Sequence, residues 1–394
     1  MANLDRLIAE LCPNGVEYET LGQTAVRTKG TPITAAQMKA LNKPNAPIKI
    51  FAGGKTVAYF NYADLPEKDV NTHPSVVVKS RGVIEFEYYD KPFSHKNEMW
   101  SYHSERDDVD IKFVYYFLKT QEKKLREKAT SMGTFPQIAI PDTEQLRIPF
   151  PPLPIQREIV RILDNFTALT AALTEELTAR RKQYEYYRNE LLNTDGESYS
   201  LEDVCQIVDC PHTSPKWQPD GVPVIRNYNL ISGNIDTSNM SYVDETEYKE
   251  RTKRITPQTD DILFSREAPI GNVGIIPEDF LCCQGQRVVL LRSNKEIAIP
   301  RYLLYALQGA MVKEQIYRVE KVGSTVSNFN IADLRRLRLS VPAIPIQRII
   351  VDKLDAFNGL CVDSVAGLPA EIAARQKQYE YYRDKLLTFK PLVP

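Results

Sequence analysis

The sequence predicts an α+β protein: two strand-rich globular domains alternating with two long helices that pair as an antiparallel coiled coil, a pseudo-twofold internal duplication. Three observations predict it. The heptapeptide Lys182 to Arg188 (KQYEYYR) returns letter for letter as Lys377 to Arg383, and Pro154-Ile155-Gln156-Arg157 returns as Pro345-Ile346-Gln347-Arg348. The second motif recurs 191 positions on (154 to 345) and the first 195 positions on (182 to 377), far beyond the 20 to 50 residues of solenoid units, so the repeated object is a whole domain with its helix. Between the motifs, apolar residues step by 3 and 4 as in a helical seam, whereas the stretches before them alternate over strand lengths. The expected boundaries are 1–150 and 194–341 for the globular domains, and 151–193 and 342–394 for the helices.

The chain has 394 residues, 43% hydrophobic and 26% charged, the composition of a globular protein with room for two or three cores. Met1 to Cys12 alternates charge with apolar residues and lacks the basic flank and apolar block of a signal peptide. No apolar run reaches membrane-spanning length, so the expectation is a cytoplasmic protein without a membrane partner. The six cysteines have no CxxC pair or disulfide-like spacing, which fits a reducing compartment and buried thiols. Cys205, Cys210 and His212 lie close together but lack a fourth metal ligand. A net charge of −1 disfavours a protein that coats nucleic acid unspecifically, since such binding rests on phosphate neutralisation. Local basic faces remain compatible with it.

In chain order, Asn3 to Leu11 reads as an amphipathic helix stopped by Pro13 and Asn14-Gly15. Val16 to Val26 reads as a strand, followed by the loop Lys29-Gly30-Thr31-Pro32. Further strands are expected at Ile48 to Phe51, Thr56 to Tyr59, Ser75 to Lys79, Val83 to Tyr88 and Met99 to Tyr102, with Lys79 to Gly82 and Lys91 to Asn97 as connecting loops. Lys112 to Lys128 reads as a helix packing through Phe113, Tyr116, Phe117 and Leu118. The second half repeats the plan, with strands from Tyr199 to Arg292 and a helix from about Arg301 to Val319. The tails align: Gly133 to Gln137 followed by Ile140 answers Ser324 to Asn328 followed by Ile331. After each comes a basic strand and then a proline that opens the long helix.

In the first helix, Ile155, Ile159, Ile162, Phe166, Leu169 and Leu173 step by 4-3-4-3-4, a coiled-coil seam. The next step of four, to Leu177, is a stutter within the tetrapeptide-like run Leu169 to Arg180. The second helix carries Ile346, Ile350, Leu354, Phe357 and Leu360, and Gly367-Leu368-Pro369 predicts a kink before Ile372, Tyr379 and Tyr382. Ile159, Ile162, Leu163, Phe166, Leu169, Leu173, Ile350, Leu354 and Phe357 are expected in or beside the seam.

Catalytic signatures are missing. There is no phosphate-cradling glycine loop and no GxGxxG. Phe150-Pro151-Pro152-Leu153 lacks the polar first and aromatic last residue of an amino-methyltransferase signature. Asp220 with Glu247 and Lys249 fits a loose metal-nuclease pattern that is common by chance. The four histidines have no metal-binding spacing. Two similar but non-identical domains at a fixed separation suit a ligand with two recognition elements, as in bipartite DNA sites. Lys79, Arg81, Lys96, Arg266, Gln284, Gln286 and Arg287 have the side chains that read guanine or adenine edges, and Lys29, His95, Asn97 and the aligned Thr134, Gln137, Thr325 and Asn328 can donate to bases or phosphates. The same residues also suit solvated polar loops, and a scaffold whose domains bind protein is the rival reading.

Taken together, the Pro-Ile-Gln-Arg openings, the Arg180 to Arg188 and Ala374 to Arg383 helix ends, and the start Leu4 to Val16 resemble the specificity subunits of type I restriction-modification systems over the whole chain. The resemblance implies a non-catalytic subunit whose two target-recognition domains each read half of an asymmetric, interrupted double-stranded DNA site. It implies helices that set the spacing of the halves and dock two methyltransferase subunits, with restriction subunits joining that core. S-adenosylmethionine, ATP and Mg²⁺ would be held by those partners, with no cofactor on this chain.

Overall fold

The computed structural model describes residues 2–54, 56–130, 135–322, 329–362 and 367–392. It divides into two compact units, Met1–Ala172 with Ala373–Pro394, and Leu173–Ile372.

In unit 1 the strand Ser75–Lys79 (SVVVK) is buried along its whole length, as a run of β-branched residues covered on both faces should be. It pairs antiparallel with Glu85–Tyr89 and Trp100–His103, and the latter with Val26–Thr28, giving a four-stranded sheet. A second sheet joins Val57–Phe60 to Ile48–Phe51 antiparallel, and Ile48–Phe51 to Phe93–His95 parallel. The helix Ile111–Thr130 covers the first sheet, and Val76, Val78, Phe86, Tyr102, Phe113 and Leu118 form one core with it. Glu17–Thr20 pairs with Arg147–Phe150 and brings the start of the unit to the base of the long helix.

Unit 2 repeats the plan in different letters, with the added strand Trp217–Gln218 in its second sheet and a small extra pair, Leu230–Ile231 with Asn234–Ile235. Its first sheet runs Cys205–Val208, Val288–Ser293, Ile262–Ser265, Val273–Ile275, the counterparts of the unit 1 strands in the same order. In its second sheet Val222–Ile225 pairs parallel with Cys283–Gln284, as Ile48–Phe51 does with Phe93–His95. Glu197–Ser200 pairs with Arg338–Val341 as Glu17–Thr20 does with Arg147–Phe150.

Four sequence expectations change. Val16 to Val26 is not one strand: a helical turn, Leu21–Thr24, separates Glu17–Thr20 from Val26–Thr28, because Gln23 folds back to accept from the Thr20 amide (3.1 Å) and buries Leu21. Lys91 to Asn97 is not simply a loop, since Phe93–His95 is a buried strand that gains its parallel partner only in the tertiary fold. The helix expected over Arg301 to Val319 is two helices, Pro300–Gln308 and Ala310–Val322, divided at Gly309, where the backbone turns extended. The seam is also redistributed. Ile159 and Leu163 belong to the core of unit 1, and Ile350 and Leu354 to that of unit 2. Ile162 is half-buried against the unit 1 core, Leu173 is half-buried, and Leu169 is exposed, because successive four-residue steps rotate the apolar stripe. Among the described seam residues, Phe166 and Phe357 stack on tyrosines of the opposing helix.

The first long helix is continuous over Leu153–Leu192, 40 residues or about 60 Å at 1.5 Å per residue. The second comprises Ile344–Val362 and Leu368–Leu386, with Pro369 in the first turn of the latter, a position that needs no amide donor.

Candidate DNA interface and its helical frame

Three devices explain why the helix motifs recur. The glutamine of each Pro-Ile-Gln-Arg is buried and ties the helix to the loop that enters its domain's packing helix. Gln156 accepts from the Asp110 amide (2.9 Å) and donates to the carbonyls of Asp108 (2.9 Å) and Pro151 (2.8 Å). Gln347 accepts from the Ile299 amide (2.9 Å) and donates to those of Ile297 (2.7 Å) and Pro342 (2.7 Å). Two turns on, Asp164 accepts from the Tyr116 hydroxyl (2.5 Å) and pairs with Lys112 (2.8 Å), while Asp355 accepts from the Tyr305 hydroxyl and from Arg301 (2.9 Å). The heptapeptides supply the third device. In unit 1 Tyr382 stacks on Phe166 (centroids 5.6 Å apart), and in unit 2 Tyr187 stacks on Phe357 (5.5 Å). The partners run in opposite order along the two helices, the signature of antiparallel pairing, and the heptapeptide of each helix therefore packs on the unit containing the other helix's start.

At one edge of unit 1, five of the proposed DNA contacts come together. Thr31 donates to the His95 carbonyl (2.7 Å) and bridges Lys96, which brings the Lys29 loop onto the end of Phe93–His95. Gly30 permits this approach, because a Cβ there would lie 2.5 Å from the carbonyl oxygens of His95 and Lys96. Arg81 bridges Gln137, and Ile138 donates to the Ser80 carbonyl (3.0 Å). Lys29, Arg81, Asn97 and Gln137 are exposed, and half-buried Lys96 pairs with Glu98 at 2.7 Å. Phe135, beside Gln137, is 71% exposed and offers a ring to a base or a step, a residue that the sequence reading did not select.

Two expected contacts in unit 1 are corrected. Lys79 is buried between Glu85 (3.1 Å) and Glu87 (2.8 Å), which holds Glu87 below its usual pKa. His95 is fully buried, with Nδ1 donating to the Lys96 carbonyl (3.2 Å) and Nε2 accepting from Ser101 (3.3 Å), and burial lowers its pKa. Unit 2 repeats the second outcome at the position equivalent to His95, and ties up an expected contact at Arg266, the counterpart of Ser80. Arg266 is half-buried and pairs with Asp209 at 2.8 Å, and buried Gln284 donates to the carbonyls of Val208 and Val288, both at 3.1 Å. These four side chains build the sheet edge and are not presented to a ligand.

Around that edge of unit 2, Arg287 is exposed in a left-handed turn (φ 73°) and pairs with Glu267 at 2.8 Å. Gln286 is half-buried and donates to the His212 carbonyl (3.1 Å). Next to Gly285, the Arg226 guanidinium lies over exposed Trp217 (5.4 Å) and exposed Tyr228 (4.8 Å), a basic and aromatic cluster that the sequence reading missed. Its signal was an arginine interleaved with aromatics across separate strands. Thr134, Thr325 and Asn328 lie outside the described residues.

Elsewhere, the loose nuclease pattern is dispersed. Lys249 pairs with Glu245 (2.7 Å) on the surface, while Glu247 is buried with Arg251. Among the described residues no group of three or more His, Cys, Asp or Glu could hold a metal. Cys205 donates to the Leu201 carbonyl and burial pushes its thiol up to about 12, whereas Cys210 accepts from the Arg287 amide (3.1 Å). No described helix is long and apolar enough to cross a membrane.

Two copies of one fold, each with a polar and aromatic edge and each locked to the same helical clamps, define a duplicated recognition protein. The type I restriction modification DNA specificity domain matches residues 15–180 and 193–374. The specificity subunit of the Escherichia coli type I restriction enzymes EcoR124I and EcoR124II is 31% identical over 296 residues, 71% of each chain. The solved S subunit of the M. genitalium type I restriction-modification system shares the fold, with a TM-score of 0.56 and 17% identity over 96% of both chains. So does a chain from a type I system solved to explain its assembly and conformational transition, with a TM-score of 0.53 and 16% identity over 96% of this chain and 98% of that one. The chain belongs to the specificity subunits of type I restriction-modification systems and carries two DNA specificity domains.

Proposed function

We propose that each unit reads one half of a bipartite, asymmetric DNA site, that the helices set the separation of the halves, and that their exposed faces dock two methyltransferase subunits, with restriction subunits added to that core. In this reading the chain itself is non-catalytic and works in the cytoplasm, and S-adenosylmethionine, ATP and Mg²⁺ are bound by its partners. The observation that carries the reading is the duplication: the clamps keep the same glutamine, aspartate, tyrosine and phenylalanine, with Lys112 answered by Arg301, while the sheet edges differ. Unit 1 presents Lys29, Arg81, Lys96, Asn97 and Gln137, and unit 2 presents Arg226, Gln286 and Arg287. A preserved frame with divergent edges is what reading two different half-sites at one spacing requires. The exposed Tyr186 and Tyr381, at matching places in the two heptapeptides, are the residues we assign to partner docking.

Methylation mapping of DNA exposed to this chain with its cognate methyltransferase subunit tests the reading. An interrupted motif with adenine methylated in both halves, absent when the chain is omitted, is expected. Methylation unchanged by the omission would refute it and favour a protein scaffold.

A further inference from the structure

Unit 2 contains a cavity of about 240 Å³ whose lining is rich in hydrogen-bond donors without acceptors. Arg181, Tyr184, Arg188, Gln308 and Lys313 line it, with Gly233 and Gly271 at its wall. Arg188 is only 6% exposed, yet its Nε has no hydrogen-bond partner, and the same holds for Nε2 of Gln308. The Arg188 guanidinium lies 5.3 Å from the centre of the Tyr184 ring. Partial burial, followed by the charge of Arg188, holds the Lys313 ammonium below the ordinary lysine pKa. Glu185 is the one carboxylate in the lining; its charge acts on Lys313, but among the described residues it forms no ion pair with Arg181, Arg188 or Lys313. A buried cation without a counter-ion is costly, so the arrangement calls for an anion.

The internal duplication supplies a control. The two heptapeptides are identical, but in unit 1 Nε and a terminal nitrogen of Arg383 donate to Asp384 at 2.9 and 2.7 Å. Buried Glu122 also acts electrostatically on Tyr379 there. In unit 2 the residue after Arg188 is Asn189, whose side-chain oxygen accepts from the Ala310 amide (3.1 Å). Asp355 acts electrostatically on Tyr184 in unit 2, but among the described residues a carboxylate is hydrogen-bonded to Arg383 and none to Arg188.

We propose that this cavity binds an oxyanion, a phosphate or carboxylate group, gripped by Arg188 with Gln308, Tyr184 and Lys313 completing its shell. A planar guanidinium with a free Nε–H suits a two-point contact with such a group. Gly233 belongs to the design, because a Cβ at that position would lie 2.5 Å from Nε2 of Gln308. The site is independent of the DNA-reading assignment, since a free ion is enough to occupy it.

Thermal melts of the full chain in sodium phosphate and in sodium acetate, each against sodium chloride of equal ionic strength, test it. A saturable rise in Tm is expected, a few degrees at about ten times the dissociation constant. A response to phosphate alone identifies a phosphate group as the occupant, and a response to both anions identifies a site that also takes a carboxylate. Arg188→Gln should abolish the response, and Lys313→Gln, which leaves the buried arginine in place, should weaken it several-fold. A native chain indifferent to both anions, or an R188Q chain responding like the native one, would overturn the proposal.

Discussion

Replacing Gln347 with Leu should destabilise unit 2 far more than its modest change in size suggests. Gln347 is fully buried and makes three hydrogen bonds, to the Ile299 amide and to the carbonyls of Ile297 and Pro342. At about 1 kcal/mol net for each bond, their loss comes to about 3 kcal/mol, and the orphaned Ile299 amide adds about 1 to 2 kcal/mol of uncompensated desolvation. The apolar side chain returns about 1 kcal/mol through its buried carbons, so the expected loss is about 3 to 4 kcal/mol. With a urea dependence of about 2 kcal/mol per molar, the unfolding midpoint should fall by about 1.5 to 2 M. Hydrogen exchange at the Ile299 amide should accelerate in parallel, because that proton loses its acceptor. Gln347→Glu should be worse than Leu at neutral pH, since it keeps an acceptor for the amide but sets carboxylate oxygens against two carbonyls. A midpoint shift below about 0.5 M for Q347L, with the Ile299 amide still protected, would refute the clamp as a source of stability.

The same substitution at Gln156 should have an equal effect on unit 1, read by exchange at the Asp110 amide. His95, buried and neutral, has a folded pKa below 6.5, so its contribution is fully present above about pH 6.5 and is lost as pH falls through the folded value. His95→Gln, which installs the residue that unit 2 has at the equivalent position, should flatten the urea midpoint of unit 1 between pH 7 and 5. Glu158 is held down to about 2 by Arg161 and then by Asn3, so its stabilisation is present above its ordinary 4.5 and lost as pH falls toward about 2. Glu158→Gln should remove that part of the acid sensitivity, measured as midpoints at pH 6 and pH 3. Arg81→Ala and Arg287→Ala should each weaken binding of a duplex carrying the methylation motif by about 5- to 150-fold if they read a base, with melting unchanged, whereas Lys79→Gln should lower the melting temperature. Equal effects of R81A on cognate and scrambled duplexes would reassign Arg81 to the phosphate backbone.

The duplication, the fold class and the family were legible in the sequence because they rest on repeated letters at fixed offsets. Pro-Ile-Gln-Arg and KQYEYYR each contain a side chain whose partner recurs too: the loop carbonyls for glutamine, the facing phenylalanine for the last tyrosine. The heptad steps likewise announced helices, because periodicity is a local property. Which polar residues stay free for a ligand was not local. Lys79 and Arg266 look like DNA-reading side chains in the sequence, but the fold brings carboxylates from other segments beside them. His95 is carried into a parallel strand that exists only once Ile48–Phe51 is in place. The cause of the missing counter-ion of Arg188 lies just past the identical letters, where Asn189 stands against Asp384, but that Arg188 is buried at a cavity was not local. Sequence alone determined the repeated frame, because local pattern and identical letters encode it. Tertiary structure decided which charges are satisfied and which are offered, because burial and ion pairing depend on residues far apart in the chain.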